Sequence, residues 1–227
     1  MRKCARAAMT PVVTLGVLLA ALAVPAGAGG GALDRFEATW ASLHDYRMTV
    51  VAHEVLGNES ADNELGFAFR KPSRARLDIR SGNKSGSTIV WEGGDRVTAY
   101  RRRMAFLKMH GGARDKDLTS LRGNGILLAN LGDVAACFDE HRDRLRERPG
   151  PTVDGDATDA VALPYEGVTC SSDPPADRGV VTLDEIDISR RTNLVVLRER
   201  FAGDLVVERW EIKDWKVDAG LTDGDLR

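Results

Sequence analysis

The stretch Arg74-Ala75-Arg76-Leu77-Asp78-Ile79-Arg80 alternates charged and apolar residues, and successive side chains of an extended chain point to opposite faces. Ala75, Leu77 and Ile79 therefore share a packed face, while Arg74, Arg76, Asp78 and Arg80 share a wet one. A slip of one residue would bury four charges, so both the strand and its register are strongly specified.

The same period of two organises much of the chain. Segments 46–56 and 65–69 alternate before Pro72, which cannot donate to a sheet ladder and ends a strand. Turns at Gly82-Asn83-Lys84-Ser85-Gly86 and Gly93-Gly94-Asp95 lead into expected strands 88–91 and 96–100, and a further one is expected at 104–109. Strand signals resume at 160–165, 180–188, 194–201 and 205–212. For the last two, a three-residue loop would set Arg198 opposite Glu208 and Val196 opposite Trp210, whereas a two-residue loop would oppose like charges.

Two segments follow the helical period instead. Leu33, Phe36, Trp40 and Leu43 fall on one face of a helix expected over 33–45. Residues 118–145 read as helical, with Asp133 capping the second piece and Pro149-Gly150-Pro151 stopping it, and 152–158 reads as a polar loop. A helix, a long antiparallel meander, a helical insert and more strands make one α+β domain, with the helices over one face so that Phe36, Trp40 and Phe138 have something to cover.

Ahead of this body, Arg2, Lys3 and Arg6 precede an apolar run at 12–24 that closes on Pro25-Ala26-Gly27-Ala28. This order predicts a secretory signal peptide over 1–28, cut near Ala28, and a mature domain over 29–227 that is periplasmic or secreted. Its removal takes away three positive charges and moves the formal balance from −2 to −5. A mildly acidic body argues against nucleic acid as a partner. Of the remaining cysteines, Cys137 and Cys170 are expected to pair in an oxidising compartment, the alternative being two separate buried thiols.

The chemistry-bearing motifs are missing. There is no G-x-S-x-G, P-loop, H-E-x-x-H or C-x-x-C, and His44, His53, His110 and His141 have no ligand spacing. The acidic run from Asp154 to Asp159 lacks the glycine and distal glutamate of a calcium loop. No catalytic residue, metal or cofactor is expected, and the chain reads as a non-enzyme. The distinctive feature is apolar: Phe67, Phe69, Leu77, Ile79, Ile89, Trp91, Val97 and Leu107 line the inner face of a curved sheet, with Trp40 above it. That face is either ordinary core or the wall of a hydrophobic ligand cavity.

Two segments carry a family resemblance. Phe67-Ala68-Phe69-Arg70-Lys71-Pro72-Ser73-Arg74-Ala75-Arg76-Leu77 resembles the Lys-Pro-x-Arg-x-Arg segment of LolA-like lipoprotein carriers, and Trp215-Lys216-Val217-Asp218-Ala219-Gly220-Leu221-Thr222-Asp223 resembles the closing motif of that superfamily's less characterised members. The resemblance implies an open, strongly curved antiparallel β half-barrel with helices covering the concave face, whose cavity takes the acyl chains of lipids or lipoproteins. No residue here matches the carrier's acting arginine, and Arg74 and Arg76 alternate onto the outer face. The competing expectation is an envelope sensor or interaction module, with the sheet as scaffold and its strand edges or the basic turn Arg101-Arg102-Arg103 meeting a protein partner. Peripheral membrane contact through the same turn also stays open.

Overall fold

The computed structural model describes residues 30–171 and 173–227. The expected leader, its cleavage point and Cys4 lie outside the described residues. Helix α1 (Ala32–Ser42) buries Leu33 and Phe36, and its open first-turn N–H groups are met by acidic side chains: Gly31 N donates to Asp34 at 2.8 Å and Ala32 N to Glu147 at 3.0 Å.

Strands β1 (Asp45–Leu56), β2 (Glu59–Arg70), β3 (Arg74–Ser81), β4 (Ser87–Trp91), β5 (Arg96–Arg101) and β6 (Met109–Gly112) follow as a meander. Helix α2 (Leu131–Glu140) separates them from β7 (Arg146–Val153), β8 (Asp156–Pro164), β9 (Leu183–Ser189), β10 (Val195–Ala202) and β11 (Leu205–Val217). Among the described residues these eleven strands form one antiparallel sheet in the order β6-β5-β4-β3-β2-β1-β11-β10-β9-β8-β7. β6 and β7 do not pair, so the sheet is an open half-barrel with both helices on its inner side. Gly132, in the first turn of α2, gives α1 its close approach: a Cβ there would lie 2.6 Å from the Trp40 indole nitrogen.

Four details differ from the sequence expectations. The 104–109 strand is instead a short 3-10 turn and loop, and β6 begins only at Met109; Met104, Phe106 and Leu107 have no partner in the sheet ladder. Within 118–145 only α2 is α-helical, and its N-cap is Asn130 rather than Asp133, with Asn130 Oδ1 accepting from Gly132 N at 3.2 Å.

Pro149-Gly150-Pro151 and residues 152–158 build the β7–β8 hairpin rather than a helix stop and loop. β7 is an edge strand, where a proline without an N–H is tolerated, and a Cβ at Gly150 would meet Asp187 Oδ1 at 2.2 Å. The β10–β11 hairpin has a two-residue turn, with Ala202 opposite Leu205, followed by a bulge between Arg200 and Phe201. The bulge sets Glu199 opposite Arg209 and Arg200 opposite Glu208, so like charges are avoided by a different device from the three-residue loop.

The two segments that carry the family resemblance meet on the convex face. Arg70 and Arg74 both pair with Asp223, Arg70 Nη1 donates to Leu221 O at 3.0 Å, and Arg47 pairs with Asp225. Leu221 and Leu226 pack on Ala68. Arg74 and Arg76 thus serve as anchors for the C-terminal tail, with Arg76 bound to Asp78 and to the Arg227 carbonyl.

Candidate functional site

The inner face is built by strand parity: Tyr46, Met48, Val50, Ala52 and Glu54 from β1, Phe67 and Phe69 from β2, Leu77 and Ile79 from β3, and Ile89 from β4. Trp40 and Phe69 close one end, where Tyr46 stacks on Phe69 at 5.3 Å and meets Trp40 at 5.4 Å and Trp215 at 5.2 Å. Phe67, Leu77, Ile79 and Ile89, together with Val50, Leu65 and Trp210, line a partly enclosed cavity of about 80 Å³ roofed by Leu118 and Leu121.

Trp40, Phe69, Trp91 and Val97 lie outside this cavity, and Trp91 Nε1 donates to Gly94 O at 2.7 Å. Leu107 is not on the inner face. It is exposed in the loop after β5, where it borders an open groove of about 390 Å³ with Ala99, Met104 and Met109.

Cavity and groove share Ile79, Ile89, Lys84 and Leu118, so one apolar surface runs from one space to the other. Lys84 ties the sheet to the roof there, its ammonium donating to Thr119 O at 2.8 Å and Lys116 O at 3.3 Å. Partial burial holds its pKa below the usual lysine value, and Asp117 opposes that shift.

The roof, residues 113–130, is clamped at its far side by a buried polar cluster that the sequence reading missed. Glu54 accepts from Ser120 Oγ at 2.6 Å, Asn124 Nδ2 at 2.6 Å and Arg122 N at 3.3 Å, while Asn124 also reaches Glu208 at 2.9 Å. Arg122 donates to Asp177 at 2.9 Å and to Val55 O at 2.5 Å. Behind it, Arg198 grips Asp184 through two bonds at 3.0 and 2.6 Å, and Arg200 joins Asp184, Asp177, Asp173 and the Tyr165 hydroxyl. Arg122, Arg198, Arg200, Asp177, Asp184, Glu54 and Glu208 are at most 2% exposed.

The disulfide Cys137–Cys170, with Cα atoms 5.6 Å apart, fastens α2 to the loop holding Asp173, and Cys170 N donates to Asp173 at 2.7 Å. This settles the alternative of two free thiols. Among the described residues no group of three or more His, Cys, Asp and Glu is placed to hold a metal ion, and no helix is long and apolar enough to cross a membrane.

Burial pushes the Glu208 carboxyl up to about 7, against the pull of Arg200 and Arg198, and burial likewise raises Asp187 to about 6. Between the ordinary carboxylate value and these values the folded chain keeps protons that the unfolded chain has released. Stability therefore falls as pH rises through roughly 4.5 to 7, by on the order of 3 kcal/mol for Glu208. Glu208→Gln removes this dependence: chemical denaturation should find the variant more stable than wild type at pH 8 and close to it at pH 5. Equal pH profiles for the two proteins would show that Glu208 is ionised throughout.

No family model matches the chain and no curated protein matches it. Solved structures similar to it include a putative outer membrane lipoprotein-sorting protein domain from Vibrio parahaemolyticus (9% identity, 86% of this chain and 94% of that one, TM-score 0.45). A LolA superfamily protein from Nitrosomonas europaea is similar at 8% identity over 88% of this chain and 98% of that one, TM-score 0.41. In the MucA/MucB complex from Pseudomonas aeruginosa the match is 15% identical, covers 86% of this chain and 59% of the other, and has a TM-score of 0.44. Identities and scores this low carry no inference about what this chain binds.

Proposed function

We propose that this protein is a binding protein, not an enzyme, and that it holds a hydrophobic ligand of the acyl-chain class between its curved sheet and the 113–130 roof. The observation that carries the reading is the continuous apolar surface joining the partly enclosed cavity to the open groove through Ile79, Ile89 and Leu118. The cavity alone is too small for a lipid tail: about 80 Å³ compares with roughly 150 Å³ for a protein cavity that admits benzene. Cargo therefore enters from the groove by displacing Leu118, and the roof must rise over it.

The chemistry needs no polar motif. Each methylene removed from water contributes about 0.8 kcal/mol, so a tail of ten methylenes supplies a gross driving force of about 8 kcal/mol, less the cost of lifting the roof. Lys84, bonded to two roof carbonyls, and Glu54, holding Ser120 and Asn124, set that cost.

The test is titration of the purified protein with a fluorescent fatty acid, alongside native mass spectrometry for co-purified lipid. Leu118→Ala should tighten binding and Ile89→Trp, which fills the passage, should weaken it by about tenfold or more, a change of roughly 1.4 kcal/mol. No adduct, no probe binding and no response to either substitution would mean that the inner face is core only.

A further inference from the structure

The segment from the end of β5, through its connection, to the start of β6 is exposed at all ten positions from 101 to 110. Its apolar side chains are the exception among large hydrophobic residues, most of which are buried: Phe106 is 81% exposed, Met109 59%, Leu107 57% and Met104 41%. A contiguous apolar group of this kind on a water-soluble surface marks a place where something docks.

Its rim carries one sign of charge. Arg101, Arg102, Arg103 and Lys108 lie within the same ten residues, which contain no Asp or Glu, and none of the four forms an ion pair with a described carboxylate. Asp78 feels Arg102 through space, and Asp117 interacts with Lys84 at the groove. The loop is anchored at its base by Arg102 N donating to Gly86 O at 3.0 Å and turns on itself through Leu107 N to Met104 O at 2.9 Å. The apolar tip is thus presented by a fixed turn.

We infer that this loop docks the protein onto an anionic lipid surface, with Phe106 and Leu107 entering the headgroup–acyl boundary and Arg101, Arg102, Arg103 and Lys108 resting on the headgroup charges. Apolar side chains ringed by Arg and Lys are what an anionic interface binds, because the burial and the Coulomb attraction act at the same depth. The charge is local: the chain as a whole is net negative, so the attraction orients the molecule with this loop forward. Docking in this way does not depend on the ligand-holding role. It would also set the groove mouth, lined by Met104, Leu107 and Met109, against the bilayer.

The experiment is flotation with vesicles of phosphatidylcholine alone and of phosphatidylcholine with phosphatidylglycerol in equal parts, using chains that share the same N-terminal segment. Wild type should float with the anionic vesicles and release as salt is raised. Phe106→Ser with Leu107→Ser should bind at least about tenfold more weakly, and Arg102→Gln with Arg103→Gln about tenfold more weakly to anionic vesicles only. These positions are exposed, so thermal midpoints should not move. In a Phe106→Trp chain, brominated lipid tails should quench emission beyond the loss seen in wild type.

Binding by the Ser variant equal to wild type, or no extra quenching in the Trp chain, would overturn the assignment. So would capture of the loop by an acidic protein with no affinity for vesicles. Acyl-probe binding by wild type and by the Arg102→Gln, Arg103→Gln chain, which keeps the groove lining intact, reports the inner face separately, so failure of one reading does not mask the other.

Discussion

Replacing Arg200 by methionine is expected to lower the unfolding free energy by about 3–5 kcal/mol and the thermal midpoint by about 10–15 °C. Arg200 is fully buried and contacts three carboxylates, Asp173, Asp177 and Asp184, together with the Tyr165 hydroxyl. Asp177 keeps Arg122 and Asp184 keeps Arg198 when it is gone, but Asp173 is left with neutral donors only, Tyr165 and the Cys170 amide. A charge stranded in a dry interior costs more than the pair was ever worth.

The double variant with Asp173→Asn should therefore recover part of the loss, which denaturant titration of the four proteins of the cycle will measure. A loss below about 1 kcal/mol, or additive effects of the two substitutions, would show that water replaces the guanidinium without penalty.

The second large effect belongs to the disulfide. Opening Cys137–Cys170, whose partners are 33 positions apart, releases a loop for which the chain-entropy model gives about 3–4 kcal/mol. Cys137→Ser with Cys170→Ser should therefore melt about 10 °C lower than wild type. Because Cys170 N also helps to hold Asp173 under Arg200, the loss should exceed additivity when combined with Asp173→Asn only if the loop itself frays. Hydrogen exchange at residues 165–171 distinguishes that case from a uniform loss of stability.

The apolar half of this architecture was legible and the polar half was not, for a common reason. The alternation in β3 reports one wet face and one packed face, and the structure places Leu77 and Ile79 inward with Arg74 and Arg76 outward. In β9, β10 and β11 the same parity rule sends Asp184, Arg198, Arg200 and Glu208 inward, in register with Ile186, Trp210 and Ile212.

The sequence reading set Arg198 opposite Glu208 across a hairpin but gave these charges no buried role, because a charged residue is normally exposed. The signal available was that Asp184 and Arg198 share parity with apolar neighbours on their own strands. The 104–109 segment misled in the opposite direction, since its run of apolar residues reads as a strand yet stays exposed in the connection before β6. Helix boundaries in 118–145 were obscured because Ser120, Arg122 and Asn124 are held in place by Glu54 and Glu208, far away in sequence.

The pairing of β1 with β11 makes the first and last strands neighbours in the middle of the sheet, with Tyr46 opposite Val217 and Val50 opposite Ile212. Every other ladder joins strands adjacent in the chain. A polypeptide emerging from its amino end can assemble the β1–β6 half early, but that half keeps a raw flank along β1 until the final strand arrives. Completion of the sheet is thereby timed by the arrival of β11: a nascent product lacking that strand would expose a twelve-residue sticky margin, a natural handle for chaperones and a seed for misassembly.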